Sequence, residues 1–162
     1  MEYDAALYPV IYLTGHRKHI YPWIQENLHT PFWRCYWNVS RGGCLRVDGR
    51  EIELRTDLVY IIPGYFRFST FAEKPFEQFY IHFSPPDNHF PSGCGILTSP
   101  VRPHWKRLWR EWEALEHTGA EDRFRRETAA GAVLAEALLQ FPRELMTART
   151  VWSPMTERAA AL

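Results

Sequence analysis

Trp33-Arg34-Cys35-Tyr36-Trp37-Asn38-Val39 and Gln78-Phe79-Tyr80-Ile81-His82-Phe83 read alike, and together they decide the fold. Side chains on a β-strand alternate between faces. Arg34, Tyr36 and Asn38 therefore share one face of the first segment, opposite Trp33, Cys35, Trp37 and Val39. In the second, Gln78, Tyr80 and His82 oppose Phe79, Ile81 and Phe83. Each strand has an apolar side and a side that mixes aromatic rings with hydrogen-bonding groups. A pocket for a small polar molecule uses that mixture, because rings cover apolar faces of the ligand and a few fixed polar groups orient it. A mixed face turned to water gives the same pattern, so its placement decides between the two.

Outward from these segments, the chain to about Phe83 is punctuated like a β protein. Apolar or alternating runs occur at Val10–Leu13, Trp33–Val39, Cys44–Val47, Ile52–Leu54, Leu58–Ile62, Phe66–Phe71 and Phe76–Phe83. Turn signals separate them at Arg41-Gly42-Gly43, Asp48-Gly49, Thr56-Asp57, Pro63-Gly64 and Lys74-Pro75. Asp48-Gly49 is a strong hairpin signal, since both residues tolerate positive φ. Short strands at this spacing suggest a sandwich or barrel.

From Ser84 the pattern changes. Ser84-Pro85-Pro86-Asp87 and Pro91-Ser92-Gly93-Cys94-Gly95 read as an irregular connection. Pro103 opens a helix with Trp105, Leu108, Trp109, Trp112 and Leu115 on one stripe, ended by Gly119. A second helix runs from about Glu121, with Phe124, Ala130, Val133, Leu134, Ala137, Leu138 and Phe141 as its apolar face and Pro142 as its stop. Thr147 to Trp152 reads as a linker. Ser153-Pro154 then caps a third helix, Met155–Leu162, which has no stop signal.

The 162 residues suit about one domain, and 46% hydrophobic and 15% aromatic content excludes disorder. Lys plus Arg equals Asp plus Glu at 19 each, so the basic excess of a chain that grips nucleic acid by itself is missing. No apolar run approaches a membrane span, and Met1-Glu2-Tyr3-Asp4 lacks the start of a signal peptide, so the expected location is cytoplasmic. Cys35, Cys44 and Cys94 are odd in number and widely spaced, which argues against a disulfide framework and a structural zinc site.

The run Gly42-Gly43-Cys44-Leu45-Arg46-Val47-Asp48-Gly49-Arg50-Glu51-Ile52-Glu53-Leu54, then Asp57-Leu58-Val59-Tyr60-Ile61-Ile62-Pro63-Gly64, then Tyr80-Ile81-His82-Phe83, resembles the N-terminal cupin-like domain of AraC-type bacterial transcription regulators. Trp33-Arg34-x-Tyr36-Trp37-Asn38 resembles a subgroup version of an early strand of that domain. One departure is Arg55-Thr56-Asp57 where many relatives carry Pro-Gly-Asp. The likeness covers about residues 10 to 145. It implies a mainly β fold, a cupin-like double-stranded β-helix (jelly roll) followed by two to three α-helices. The implied organisation is an effector-binding barrel at 1–98, a helical dimerisation segment at 99–146, and a linker with the start of a truncated DNA-binding domain at 147–162. The resemblance further implies a small polar effector, often a sugar, a homodimer through the second helix, and DNA contact only through a C-terminal domain absent from this chain. It points to Gln78 and Tyr80 as the first ligand candidates, with His82 next along the face.

Periodicity adds Arg34, Tyr36 and Asn38. Arg34 suits a carboxylate or paired hydroxyls, or else an ion pair at the barrel rim. Tyr36 and Tyr80 can cover a ring and bond its edge, or serve as ordinary strand aromatics. Asn38 and Gln78 donate and accept, as a hydroxyl-rich ligand requires, or face solvent. His82 is either a ligand contact or a buried imidazole satisfied by the backbone. Arg67 could point inward, although a surface position is expected. No catalytic residue, cofactor or metal is expected. The early strand carries no His-x-His, His16 and His19 sit in a loop-like stretch, no Gly-x-Ser-x-Gly occurs, and Cys35 falls on the apolar side. The expectation is a non-enzymatic sensor. The competing readings are a metal-dependent cupin enzyme acting on a sugar or small acid, and a bare dimerisation module with a collapsed barrel.

Overall fold

A computed structural model describes residues 9–85 and 95–141. Among these residues nine strands, β1 (Val10–Ile20), β2 (Gln25–Leu28), β3 (Trp33–Asn38), β4 (Gly43–Val47), β5 (Arg50–Glu53), β6 (Leu58–Ile62), β7 (Phe68–Ala72), β8 (Phe76–Ser84) and β9 (Leu97–Pro100), precede α1 (Pro103–Leu115) and α2 (Arg123–Leu138). One sheet has the order β1-β8-β3-β6-β9 and the other β2-β7-β4-β5. The pairs nest antiparallel around one turn: β4 with β5, β3 with β6, β2 with β7, β1 with β8. A long hairpin rolled up in this way is a jelly roll. Its central turn is Asp48-Gly49, at φ 48° and 76°, a conformation that glycine and aspartate adopt at low cost.

Two apolar layers hold the molecule together. On the outer face of the five-stranded sheet, Trp33, Cys35, Trp37, Val59, Ile61, Phe79, Ile81 and Phe83 pack beneath the helices. The three α1 tryptophans, Trp105, Trp109 and Trp112, supply the cover, with Trp105 edge-on to Trp37 and Trp112 edge-on to Phe79. Their spacing of four and three residues puts all three rings on one helical stripe. From α2, Ala130, Val133, Leu134, Ala137 and Leu138 complete the layer. Between the sheets lies the second cluster, Tyr36, Leu45, Leu54, Tyr60, Ile62 and Phe68. Tyr60 also closes the β5–β6 loop: its hydroxyl accepts from the Arg55 N–H at 2.9 Å and donates to the Glu53 carbonyl at 3.1 Å.

Several expectations are corrected. His16 and His19 lie within β1, not in a loop; that polar stretch is extended because it pairs with β8 as far as Ile20. Strands β2 and β9 carry little apolar alternation and were invisible in the sequence. The run Phe66–Phe71 becomes β7 at Phe68–Ala72, because Tyr65 at φ 58° forms a turn beforehand. Gly119 does not end α1, which stops at Leu115; Gly119 instead precedes a 3-10 turn over Ala120–Asp122. Phe124, expected on the apolar face of α2, is 79% exposed. Arg67 is on the surface, as expected. The third helix, the linker, Pro142, Cys94 and most of the Ser84–Gly95 connection lie outside the described residues.

Candidate functional site

The register of the five-stranded sheet places the mixed face in three rungs, all turned toward the space between the sheets. Arg34 stands between Ile62 of β6 and His82 of β8, with Leu13 of β1 beyond. Tyr36 stands between Tyr60 and Tyr80, with Gly15 beyond. Asn38 pairs with Gln78, which pairs with Arg17. Directly opposed side chains on one face lie in contact range, so β3 and β8 present a continuous polar and aromatic surface.

A hollow of about 250 Å³ opens onto this surface. It is lined by Leu13, Arg17 and Ile20 of β1, Trp23 and Gln25 at the start of the other sheet, and Tyr36, Gln78, Tyr80 and His82. Ile20 joins the odd-numbered Leu13 and Arg17 on this face because the β1 register shifts between Arg17 and Ile20. Four of the six residues singled out from sequence therefore line one cavity. The other two share the face without lining it. Asn38 is fully buried and accepts a 2.9 Å hydrogen bond from Gln78 Nε2, so it positions that amide. Arg34 is 4% exposed and sits behind Tyr36 and His82.

Gly15 has a definite part in this geometry. A Cβ built there would come within 2.5 Å of the Tyr80 hydroxyl, so the absent side chain is what lets that phenol lie against β1. Trp23 closes the opposite side, with its ring 6.1 Å from Tyr36 and 5.1 Å from Phe76.

The electrostatics of the wall follow from burial. Arg34 is flanked by the Phe32 and Phe68 rings, at 4.6 and 5.2 Å from its guanidinium carbon, which is cation–π contact and not charge neutralisation. Burial lowers its pKa, and the adjacent Tyr36 phenol acts in the opposite sense. A guanidinium nonetheless stays charged. Burial pushes Tyr36 up to about 12, with Arg34 pulling it back, so its hydroxyl remains a donor. His82 drops to about 4, through burial first and the Arg34 charge second, so its imidazole is neutral near pH 7. It stacks on Phe32 at 4.8 Å. Cys35 lies on the far side of β3, buried, its thiol pushed up to about 12 and inert as a nucleophile.

A second polar cluster occupies the outer face of the same strands. The imidazole of His16 on β1 lies 2.6 Å from Glu77 through Nε2, and its Nδ1 is 3.5 Å from Glu113 and 3.7 Å from Glu116 of α1. The His16 backbone N–H donates to Glu116 at 3.0 Å. Glu77 is the neighbour of Gln78, so the cluster ties a cavity-lining strand to the helical layer. Sequence reasoning missed it, since its members are spread over a hundred residues and share no local pattern.

Larger depressions lie outside the sandwich: one of about 810 Å³ between β1 and α2, one of about 500 Å³ between α1 and α2, lined by Leu108, Leu115, Phe124, Ala129 and Ala132 among others, and one of about 310 Å³ where Lys106 and Trp109 of α1 meet Trp37 and Thr56. Size alone does not mark a binding site; the smaller hollow is where buried hydrogen-bonding groups converge on aromatic walls. Among the described residues, no group of three or more His, Cys, Asp or Glu side chains is arranged to hold a metal ion. Among the same residues, no helix is long and apolar enough to cross a membrane.

No family model and no curated protein matches the chain. Solved structures do. ToxT from Vibrio cholerae aligns over 94% of this chain and 64% of its own, at 10% identity and a TM-score of 0.51. An apo point variant of ToxT aligns over 92% and 63%, at 7% identity and a TM-score of 0.54. ToxT bound to (E)-4-(8-methylnaphthalen-1-yl)but-3-enoic acid aligns over 94% and 64%, at 10% identity and a TM-score of 0.51. At such identities the likeness is one of fold. The chain spans somewhat less than two thirds of the length of each of these ToxT chains.

Proposed function

We propose that this chain is a non-enzymatic effector-sensing domain of an AraC-type transcription regulator, and that its effector binds in the hollow between the sheets. The observation that carries this reading is the convergence of Tyr36, Gln78, Tyr80 and His82 with Trp23 around one cavity inside the jelly roll. The likeness in fold to ToxT, an AraC-family regulator, supports it. So does the small-molecule acid held by one of the ToxT structures. In this reading Arg34, Tyr36, Asn38, Gln78, Tyr80 and His82 form and support the effector site. The helices carry a homodimer contact through α2, and a C-terminal domain supplies DNA contact.

A ligand can bias transcription only through different affinities for two arrangements of the domain. The route available here is short: Gln78 touches the hollow, and its neighbour Glu77 meets His16 and, through it, Glu113 and Glu116 of α1. The sugar expected from the resemblance draws support from the tyrosine rings and the Gln78 amide. None of the ligands named for the ToxT structures described above is a sugar.

The test is a thermal-shift screen of ring-bodied polar compounds on wild type and on Tyr80→Ala. A ligand at a hundred times its Kd stabilises the folded state by about 2.7 kcal/mol. At about 2–4 °C per kcal/mol for a domain of this size, that is roughly 5–11 °C. Tyr80→Ala should remain folded and lose the shift. A compound that stabilises both proteins equally binds elsewhere, and that outcome contradicts the site.

A further inference from the structure

The hollow carries an unbalanced charge. Its lining contains a cation, Arg17, and no carboxylate. Behind Tyr36 and His82 lies a second cation, Arg34, almost wholly removed from water. Among the described residues neither arginine forms an ion pair, although seven other arginine and histidine side chains do. Arg17 is exposed, and water solvates its charge. Arg34 has no such relief. A buried guanidinium that meets only rings and a phenol is short of its usual anionic partner, and leaving a charge unpaired in this way is unfavourable.

The groups between Arg34 and the cavity are suited to an anion. The Tyr36 hydroxyl is a donor, and a neutral imidazole offers one N–H. Both face the hollow, and both sit in the field of Arg34. Beside the Gln25 and Gln78 amides, the rest of the lining is Leu13, Ile20, Trp23 and Tyr80, which covers a flat, largely apolar body. At about 250 Å³ the space falls just under the usual range for small-molecule pockets, roughly 300–1,000 Å³, so the body is small.

We propose that the effector is a small ring-bodied carboxylic acid whose carboxylate docks between the Tyr36 hydroxyl and the His82 imidazole, backed by the Arg34 guanidinium, with its ring against Trp23 and Tyr80. This deepens the effector reading above and rests on it. Aromatic acids and sugar acids share the chemistry; the aromatic walls and the Gln78 amide leave room for either body.

The experiment is calorimetric titration of the full chain with matched pairs: benzoate and cinnamate against their methyl esters, and galacturonate against galactose. The expected result is that at least one acid binds about ten- to a hundredfold more tightly than its neutral partner, the worth of a charged hydrogen bond. An aromatic hit and a galacturonate hit separate the two sources. Arg34→Met, close in volume and uncharged, should abolish the preference for the acid, so that acid and ester bind alike. The same variant in the ligand-free state should be as stable as wild type or more so, since it removes an unpaired buried charge. A marked loss of stability would instead mark Arg34 as a structural cation held by Phe32 and Phe68, and would overturn the proposal. Failure of Arg34→Met to fold counts as that same loss and overturns the role given to Arg34; the wild-type acid–ester comparison then decides whether the hollow prefers an anion at all. Neutral partners binding as well as the acids overturns the charge assignment and leaves the effector site standing. No binding by any compound, and no perturbation of Trp23 fluorescence, overturns both.

Discussion

Gly15→Ala is a one-carbon change that should reach the hollow without touching the rest of the fold. An alanine Cβ would sit 2.5 Å from the Tyr80 hydroxyl, 2.6 Å from its Cζ and 3.0 Å from its Cε1, where ordinary contact begins near 3.4 Å. The phenol must therefore retreat by about 0.9 Å, the difference between 3.4 and 2.5 Å. The backbone of β1 blocks one side, so it moves toward the cavity and Trp23. Overpacking a tight site costs about 1–3 kcal/mol. Tyr80 is only half-buried and can yield, so the lower end applies. Removing a glycine also stabilises by about 0.4–1 kcal/mol through the unfolded chain. The net expectation is a loss of roughly 0–2 kcal/mol, which urea unfolding and a Tm drop of at most about 8 °C would report. Ligand affinity should fall much further, about tenfold or more by calorimetry, because the cavity wall itself is displaced. Adding Tyr80→Leu should relieve the clash, giving a coupling of about 0.5–3 kcal/mol in a double-mutant cycle. Wild-type affinity in Gly15→Ala together with zero coupling to Tyr80 would refute the placement of that ring.

Further outcomes follow from the same geometry. Phe79→Ala, at a fully buried site against Trp105 and Trp112, should cost about 3–5 kcal/mol and lower Tm by roughly 6–20 °C. Tyr60→Phe should cost about 1–3 kcal/mol in urea unfolding, because the Glu53 carbonyl and the Arg55 N–H both lose their partner. His82 has a folded pKa of about 4 against 6.5 for a free imidazole, so the unfolded chain takes up more protons in that window. Its contribution is therefore complete above pH 6.5 and drains away as pH falls toward 4; His82→Gln should flatten that part of the stability–pH curve relative to wild type. His16→Ala strands Glu77, Glu113 and Glu116 together and should increase amide exchange in α1 more than in β3, measured by hydrogen exchange.

The alternation in β3 and β8 was legible because period 2 is a property of the strand itself, so the split between Phe79, Ile81, Phe83 and Gln78, Tyr80, His82 needed no tertiary knowledge. The nested hairpin was legible through its centre, where Asp48-Gly49 accepts positive φ. The three tryptophans of α1 announced their stripe by spacing. What the sequence hid is what long-range pairing decides. The polar stretch Gly15–His19 is a strand only because β8 lies beside it. Trp23 and Gln25 enter the cavity from a segment without apolar periodicity, and Arg17 faces it by register alone. Phe124 was misplaced for the converse reason: helical spacing puts it near the apolar stripe, yet α1 ends at Leu115, too early to cover it. The lack of a carboxylate beside Arg34 is a three-dimensional fact that no pattern in the chain could state.

The most direct test of an effector site inside the sandwich is chemical-shift mapping of the full chain across a panel of small ring compounds with and without a carboxylate. The account predicts that a binding compound shifts Trp23, Tyr36, Gln78, Tyr80 and His82 and leaves the α1–α2 groove at Leu108 and Phe124 unmoved. Compounds that shift only the helical residues, or a panel that leaves those five side chains unmoved throughout, would contradict it.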